Sequence, residues 1–124
     1  MLKVLKLFRN EIFLSILILT ILFYLPILFN PSILLSRDND LQQFFWPIFY
    51  YTKYHLLLNH NLPLWNTMFL SGVPLLPDSQ SFLFYLPNII FLIFPIGISF
   101  IISFMFHTLI GGIGTYLCAR HGFN

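Results

Sequence analysis

Charged residues and cysteines are both scarce in this chain. Charged side chains make up 8% of its 124 residues, and the net charge is +2. That charge is too small, and the basic residues are too scattered, to suggest a nucleic-acid partner. The single cysteine, Cys118, excludes an internal disulfide and a cysteine-based metal site. The sequence also has no glycine-rich phosphate loop, no nucleotide fingerprint and no Ser/His/Asp set.

Apolar surface, in contrast, is abundant. Hydrophobic residues account for 58% of the chain and aromatic residues for 19%, and the mean hydropathy is +0.85. These values are typical of membrane proteins. Long stretches carry no charge, while three of the four acids, Asp38, Asp40 and Asp78, lie within residues 38–88. The composition therefore predicts a chain anchored in a lipid bilayer, with any chemistry in this polar, aromatic-rich central segment.

The first apolar run covers residues 12–29 and contains no charge. Its length is close to the roughly 20 residues that cross a bilayer, so we expect transmembrane helix 1 here. A cleaved signal peptide is the alternative, but its apolar core is only about 7 to 15 residues long. The basic residues in the preceding segment 1–11 predict a cytoplasmic N-terminus; they are Lys3, Lys6 and Arg9.

Residues 30–87 are then expected to form an extracytoplasmic loop. Within it, Asp40–Asn59 has apolar and aromatic residues on nearly all sides, which favours a helix lying at the headgroup level of the membrane. Pro47 would bend this helix or delay its start. Residues 61–81 contain three prolines and a glycine, so we expect an ordered loop there rather than one regular element.

Prolines also divide the second apolar stretch. We expect a short interfacial helix and a break in residues 88–96, transmembrane helix 2 in residues 97–118, and a cytoplasmic end in residues 119–124, where the chain is truncated at a turn. The predicted fold class is an all-α membrane protein, with two transmembrane helices that flank an extracytoplasmic loop carrying interfacial helices. Two spans leave little room for a transmembrane core, so we expect the first part of a many-spanning fold.

Small or polar residues recur at every fourth position of the second span. This stripe consists of Ser99, Ser103, His107, Gly111 and Thr115. Such stripes are where helices meet in lipid, and the first span has no comparable one. The predicted partner is therefore a further transmembrane helix of the same or another chain. His107 is interpreted as a neutral side chain bonded to a neighbouring helix, with a functional role as the less common alternative.

Asp38 and Asp40 are the leading candidates for chemistry. Asp40 has a structural explanation as the N-cap of the following helix, with Gln43 reaching back as in a capping box. Asp38 is not needed for that cap. Two acids two residues apart can share one divalent cation, Mg²⁺ or Mn²⁺, although two ligands leave its coordination shell incomplete. Asp78 is more simply explained as the cap of a helix that begins near Ser79.

Four motifs follow one another along the central segment. They are DNDLQQFFWP at residues 38–47, LPLWN at 62–66, SGVP at 71–74 and DSQSFLFYLPN at 78–88. In this order and spacing they resemble the YfhO-like bacterial membrane proteins, which belong to the C-type glycosyltransferase superfamily. The resemblance extends from about Ile12 to the end of the chain. The motif at residues 38–47 contains two acids and two adjacent glutamines, so it can be aligned with the family motif in two ways. The family also has many more transmembrane spans than this chain.

The resemblance implies sugar transfer from a polyprenyl-phosphate donor to a cell-envelope acceptor at the bacterial cytoplasmic membrane. An aspartate of the first extracytoplasmic loop then acts as catalytic base or metal-linked carboxylate, and by position it is Asp38 or Asp40. This fragment alone is expected to be inactive. The alternative is a non-enzymatic membrane subunit or transporter piece that packs with partner helices. Expected substrate contacts are Gln43, Trp65, Asn66, Asp78 and Gln80.

Overall fold

The computed structural model describes residues 11–36, 39–78, 81 and 84–122. The chain is mostly helical. In order, its elements are helix α1 (Glu11–Phe29), a 3₁₀ turn (Pro31–Leu35), a π turn (Leu41–Phe45), helix α2 (Trp46–Leu58), strands β1 (Trp65–Asn66) and β2 (Val73–Pro74), a second 3₁₀ turn (Leu86–Ile89), helix α3 (Ile90–Ile93) and helix α4 (Ile96–Gly122).

Two of these helices, α1 and α4, are long and apolar enough to cross a bilayer. α1 coincides with the predicted span except for one additional residue, Glu11, at its start. α4 also begins one residue before its predicted span but continues to Gly122, beyond the predicted end at Cys118.

α1 and α4 pack against each other in antiparallel directions. The side chain of Ile16 lies on Gly112, where an added β-carbon would be 2.9 Å from Ile16 Cγ2. Further along α1 and earlier in α4, the hydroxyl oxygens of Tyr24 and Thr108 are 2.9 Å apart and share a hydrogen bond. Most other side chains of α1 are exposed. The glycine thus allows a close approach of the two long helices.

Pro47 explains the irregular beginning of the predicted central helix. It has no N–H to donate, and its ring displaces the carbonyl of the residue four positions earlier. The backbone accordingly forms the π turn over Leu41–Phe45, and the α-helix begins only at Trp46. This segment is thus helical, and its regular α-helical part starts just before Pro47; its position at the headgroup level of a membrane remains a prediction.

Three phenylalanines join α2, α3 and α4 into one core. The rings of Phe49 and Phe91 are stacked with centroids 3.9 Å apart, and Phe100 meets both edge-on at 5.5 and 4.9 Å. All three side chains are buried, together with Leu34 and Ile96. One face of α2 is therefore covered by protein. Burial of side chains of this size contributes about 1.5–3 kcal/mol each.

The predicted irregular loop contains a small hairpin. β1 and β2 pair antiparallel, with Asn66 opposite Val73. Beneath the hairpin lies a second cluster of Ile48, Tyr51 and Leu75. The Tyr51 hydroxyl donates to the carbonyl of Trp65 at 2.8 Å. Tyr51 is buried, and this hydrogen bond attaches the hairpin to α2.

Candidate functional site

Asn39, and not Asp40, caps the central helix. The Asn39 side-chain oxygen accepts a hydrogen bond from the backbone N–H of Gln42 at 2.8 Å, and its amide group donates to the carbonyl of Leu34 and the hydroxyl of Ser36. Asp40 makes no side-chain cap hydrogen bond. The interpretation of Asp40 as the side-chain cap is therefore wrong, whereas the reach of Gln43 back to the helix start remains a prediction. Asp40 itself is exposed.

Asp40 and Gln43 line one hollow at the start of the helix. Its other lining residues are Phe44 and Phe45. We call this the acidic hollow. The catalytic candidate Asp38 lies outside the described residues, as does Gln80. The structure thus brings together Asp40 and Gln43, one predicted catalytic residue and one predicted substrate contact.

A larger cavity, which we call the aromatic cavity, shares Phe45 with the acidic hollow. Its volume is about 510 Å³, and it lies between α2, residues 85–91 and α4. A cavity of this size falls within the range of small-molecule sites. Its apolar wall consists of Leu41, Phe45, Phe49, Phe91, Phe100 and Phe104, and its polar residues are Tyr85, Asn88, Ser103 and His107.

Tyr85 and His107 form a hydrogen bond beside the aromatic cavity. The Nδ1 atom of His107 lies 2.6 Å from the carbonyl oxygen of Ser103. Because a carbonyl only accepts, Nδ1 carries the hydrogen and Nε2 of the neutral ring is an acceptor. The Tyr85 hydroxyl, 2.5 Å from Nε2, therefore donates to it. His107 thus connects α4 to the segment before α3.

The hairpin residues Trp65 and Asn66 lie in different environments. Trp65 is about half exposed, whereas Asn66 is completely buried. The Asn66 side-chain oxygen accepts from the backbone N–H of Met68 at 2.9 Å, which gives this residue a local role in the turn. Substrate contacts by Trp65 and Asn66 remain predictions.

The third acid, Asp78, occupies a turn. Its backbone carbonyl accepts from both the N–H and the hydroxyl of Ser81, at 3.1 and 2.7 Å. Because Ser79 lies outside the described residues, the predicted helix start there is not described. The proposed roles of Asp78 as a cap and as a substrate contact both remain predictions.

The stripe on α4 is buried at one end and open at the other. Ser99 is completely buried, and its hydroxyl lies 3.1 Å from the carbonyls of Ile90 and Pro95. Gly111 is exposed and would have nothing within 4 Å of an added β-carbon. The exposed Thr115 donates to the carbonyl of Gly111. α1 packs on the neighbouring Thr108–Gly112 face, so helix packing at the open end of the stripe remains a prediction.

The expected Mg²⁺ or Mn²⁺ remains a prediction. Of its two expected ligands, Asp40 lines the acidic hollow and Asp38 lies outside the described residues. One or two carboxylates, completed by water and phosphate oxygens, are a usual ligand set for Mg²⁺. Nowhere in the described part of the chain do three or more His, Cys, Asp or Glu side chains come together as a metal site.

Sequence reasoning missed the aromatic cavity and Tyr85. Phe45 and Phe49, like Phe100 and Phe104, are four residues apart and share a helix face, which was a usable signal for an aromatic wall. The hydrogen bond between Tyr85 and His107 joins residues that are 22 positions apart, and no periodicity in the sequence indicates it.

Comparison of the chain with protein-family models, with curated proteins and with solved structures finds no match.

Proposed function

We propose that this chain is part of an integral membrane glycosyltransferase of the bacterial cytoplasmic membrane. It takes a sugar from a polyprenyl-phosphate donor and transfers it to a cell-envelope acceptor. The observation that supports the proposal is that two unlike spaces share the lining residue Phe45: the acidic hollow with Asp40 and Gln43, and the apolar aromatic cavity. A lipid-linked sugar has the same two-part character, with a polar reacting end and an apolar chain.

The proposed arrangement in the membrane follows from the two long helices. α1 and α4 both span the bilayer, the N-terminus is cytoplasmic, and residues 30–95 lie on the outer side. The lysines and arginine before α1 support this orientation, because positive charge is retained on the cytoplasmic side. Arg120 at the end of α4 supports it as well.

In the proposed reaction an aspartate acts as general base. Asp40, or Asp38 in the other register of the motif, takes the proton from an acceptor hydroxyl as that oxygen bonds to the anomeric carbon of the sugar. The bond from that carbon to the phosphate oxygen breaks, and the polyprenyl phosphate leaves with the electron pair. General base catalysis typically contributes about 10²–10⁴-fold to the rate. Gln43, in the same hollow, is positioned to bind sugar hydroxyls.

The test is sugar transfer by the protein expressed with its entire natural reading frame. A panel of polyprenyl-phosphate hexoses serves as donors, and release of polyprenyl phosphate is measured. Asp40→Asn or Asp38→Asn should lower the rate by about 10²-fold or more, following the contribution of a general base. Glu11→Gln is the control, because it removes the charge of an exposed acid at the start of α1, outside the central segment. Equal rates in all three variants, or no donor consumed by the unchanged protein, would contradict the proposal.

A second candidate function is that of a non-enzymatic membrane subunit or transporter piece. The exposed end of the α4 stripe favours it, because Gly111 presents an open backbone surface on which another helix can pack. Crosslinking through the exposed Cys118 tests this reading. A specific crosslinked partner that is lost in Gly111→Leu would support it, and unchanged crosslinking in that variant would count against it.

A further inference from the structure

The turn of the small hairpin presents apolar side chains to its surroundings. We call residues 67–72, which join β1 to β2, the hairpin tip. Leu70 is 90% exposed and Met68 is 61% exposed. From residue 54 to residue 77 the chain contains no lysine, arginine, aspartate or glutamate. Apolar groups concentrated on an uncharged projection indicate a surface that contacts something other than water.

The backbone of the hairpin tip holds Leu70 in this exposed position. Leu70 and Ser71 have φ values of 47° and 65°, in the left-handed region that residues other than glycine rarely adopt. The turn is closed by a hydrogen bond of 2.7 Å from the N–H of Gly72 to the carbonyl of Phe69. Glycine or asparagine suits such a backbone without exposing an apolar group. A leucine is unfavourable there in both conformation and exposure, which indicates a contact for its side chain beyond the described residues.

Contacts with α2 show which way the hairpin points. At its base, the carbonyl of Trp65 accepts a hydrogen bond of 2.8 Å from the hydroxyl of Tyr51. At its tip, the ring of Phe69 lies against that of Phe44, with centroids 5.8 Å apart. Phe44 precedes Tyr51 by seven positions, which corresponds to roughly 10 Å of helical backbone. The hairpin therefore runs back along α2, and its tip lies beside the π turn that precedes this helix.

The end of α1 marks a level along the two long helices. α1 has 19 residues, which gives roughly 28 Å at 1.5 Å per residue and matches the roughly 30 Å hydrocarbon core of a bilayer. Its Tyr24 shares a hydrogen bond with Thr108 of the antiparallel α4. Phe29, five positions after Tyr24, is therefore level with about Ser103, five positions before Thr108.

The π turn before α2 lies at this same level. Phe45 and Ser103 line the aromatic cavity together, and the residue before Phe45 contacts the hairpin tip. The other end of α2 lies farther out, because the Lys53 ammonium donates to the carbonyl of Phe94, which precedes α4. The hairpin tip is thus close to the outer end of α1, where the hydrocarbon core of a bilayer spanned by that helix would end.

We propose that the hairpin tip inserts into the outer leaflet of the bilayer, with Leu70 and Met68 at the boundary between headgroups and acyl chains. Trp65 suits this depth, because its indole covers Gly72 in the turn and such amphipathic rings settle at the headgroup level. The bilayer is favoured over a second copy of the chain because the tip is uncharged and level with the end of a span. The inference rests on the proposed spans α1 and α4 and not on the proposed sugar transfer.

The test measures contact between the hairpin tip and acyl chains by fluorescence quenching. In a Cys118→Ser background, a bimane label is attached to Leu70→Cys, and the whole chain is reconstituted in phosphatidylcholine vesicles with or without bromine on the upper acyl chain. Bromine quenches on contact, so this label should lose most of its fluorescence. Leu25→Cys, at an exposed position in α1, is the control for the span. Asn59→Cys, exposed at the far end of α2, should keep its fluorescence.

A matched pair of substitutions tests the leucine itself. Leu70→Asn removes the apolar group but tolerates the left-handed backbone, and Ser71→Asn makes the same change at the neighbouring left-handed position. Quenching of Trp65 by brominated lipid, read in a Trp46→Phe background, should be largely lost in Leu70→Asn and kept in Ser71→Asn. Circular dichroism verifies that both variants are folded. Equal quenching in the two variants would overturn the role of Leu70.

The label positions separate failure of this inference from failure of the proposals before it. Quenching at positions 70 and 25, with none at position 59, is the expected result. Quenching at position 25 alone would overturn insertion of the tip while leaving the spans in place, and disulfide crosslinking between Leu70→Cys copies would then assign the tip to a second copy. No quenching at either position would overturn the spans and the insertion together. None of these readouts changes if sugar transfer is not observed.

Discussion

Ile16 of α1 lies directly on Gly112 of α4, so that a β-carbon at position 112 would be 2.9 Å from Ile16 Cγ2. The neighbouring Gly111 faces open space. Two adjacent glycines on one helix therefore have opposite environments. Only one of them is required for the contact between the two long helices.

This difference predicts the outcome of a matched pair of substitutions. Gly112→Ala forces the stiff, branched side chain of Ile16 to move and should lower the free energy of unfolding by about 1–3 kcal/mol. Gly111→Ala should be neutral or stabilising, because alanine favours a helix by up to about 1 kcal/mol over glycine. Unfolding in detergent, followed by circular dichroism, measures both. If the two variants lose the same stability, the Ile16 contact is not the reason for the glycine.

A second prediction concerns the hairpin turn at Gly72. Its backbone has φ +117°, and the indole of Trp65 covers the position that a β-carbon would take. Gly72→Ala must therefore displace the indole and adopt a conformation that costs about 1–3 kcal/mol. Fluorescence of Trp65 in a Trp46→Phe background should shift towards that of an exposed indole. The same change at the exposed Gly122 is the control, and an unchanged spectrum in Gly72→Ala would contradict the structure.

Asn66 gives a third prediction. Its buried side-chain oxygen is the acceptor for the backbone N–H of Met68. Asn66→Ala leaves that N–H without its partner and should cost about 1–3 kcal/mol of unfolding free energy. Asn59→Ala is the matched control, because Asn59 is exposed and its side chain makes a long hydrogen bond of 3.5 Å to His55; it should change stability by less than about 0.5 kcal/mol. Equal losses of unfolding free energy in Asn66→Ala and Asn59→Ala would contradict the buried hydrogen bond between Asn66 and Met68.

The hydrogen bond between Tyr85 and His107 gives a fourth prediction. Tyr85→Phe removes only the hydroxyl that donates to His107 Nε2. Residues 86–89 should then open more easily, by about 0.5–1.5 kcal/mol. Amide hydrogen exchange of this turn measures the change, and Tyr54→Phe on the exposed side of α2 is the control. Nitrogen chemical shifts should also show the His107 hydrogen on Nδ1; a hydrogen on Nε2 would contradict the assigned donor.

The extent of the helices was largely predictable from the sequence. Apolar runs without charge located α1 and α4 to within a few residues, because both follow from composition over a long window. The missing N–H of Pro47 explained the delayed start of α2. Each of these features depends on local chemistry, which the order of residues contains directly.

The residue that caps the central helix could not be identified from the sequence. Asp40 and Asn39 are adjacent, and either side chain suits a helix N-cap. Asn39 is the one used because an amide both accepts, here from Gln42, and donates, here to Leu34 and Ser36. A carboxylate cannot donate. That distinction depends on where the preceding 3₁₀ turn places the Leu34 carbonyl and the Ser36 hydroxyl, which neither side chain reveals by its type.

The candidate site was predictable only in part. The sequence singled out Asp40 and Gln43, which do share a hollow. It did not indicate the aromatic cavity, because that wall is assembled from three helices by contacts such as Phe49 with Phe91.

The antiparallel contact of α1 with α4 also has a consequence for biosynthesis. The hydrogen bond between Tyr24 and Thr108 joins residues 84 positions apart. At about 5–20 residues per second, a ribosome takes on the order of ten seconds to synthesise the intervening chain. During that interval α1 has no partner in α4, and its apolar surface must be covered by lipid or by the insertion machinery. The apolar surface of α1 in the nascent chain is therefore covered first by lipid or by the insertion machinery, and only later by α4.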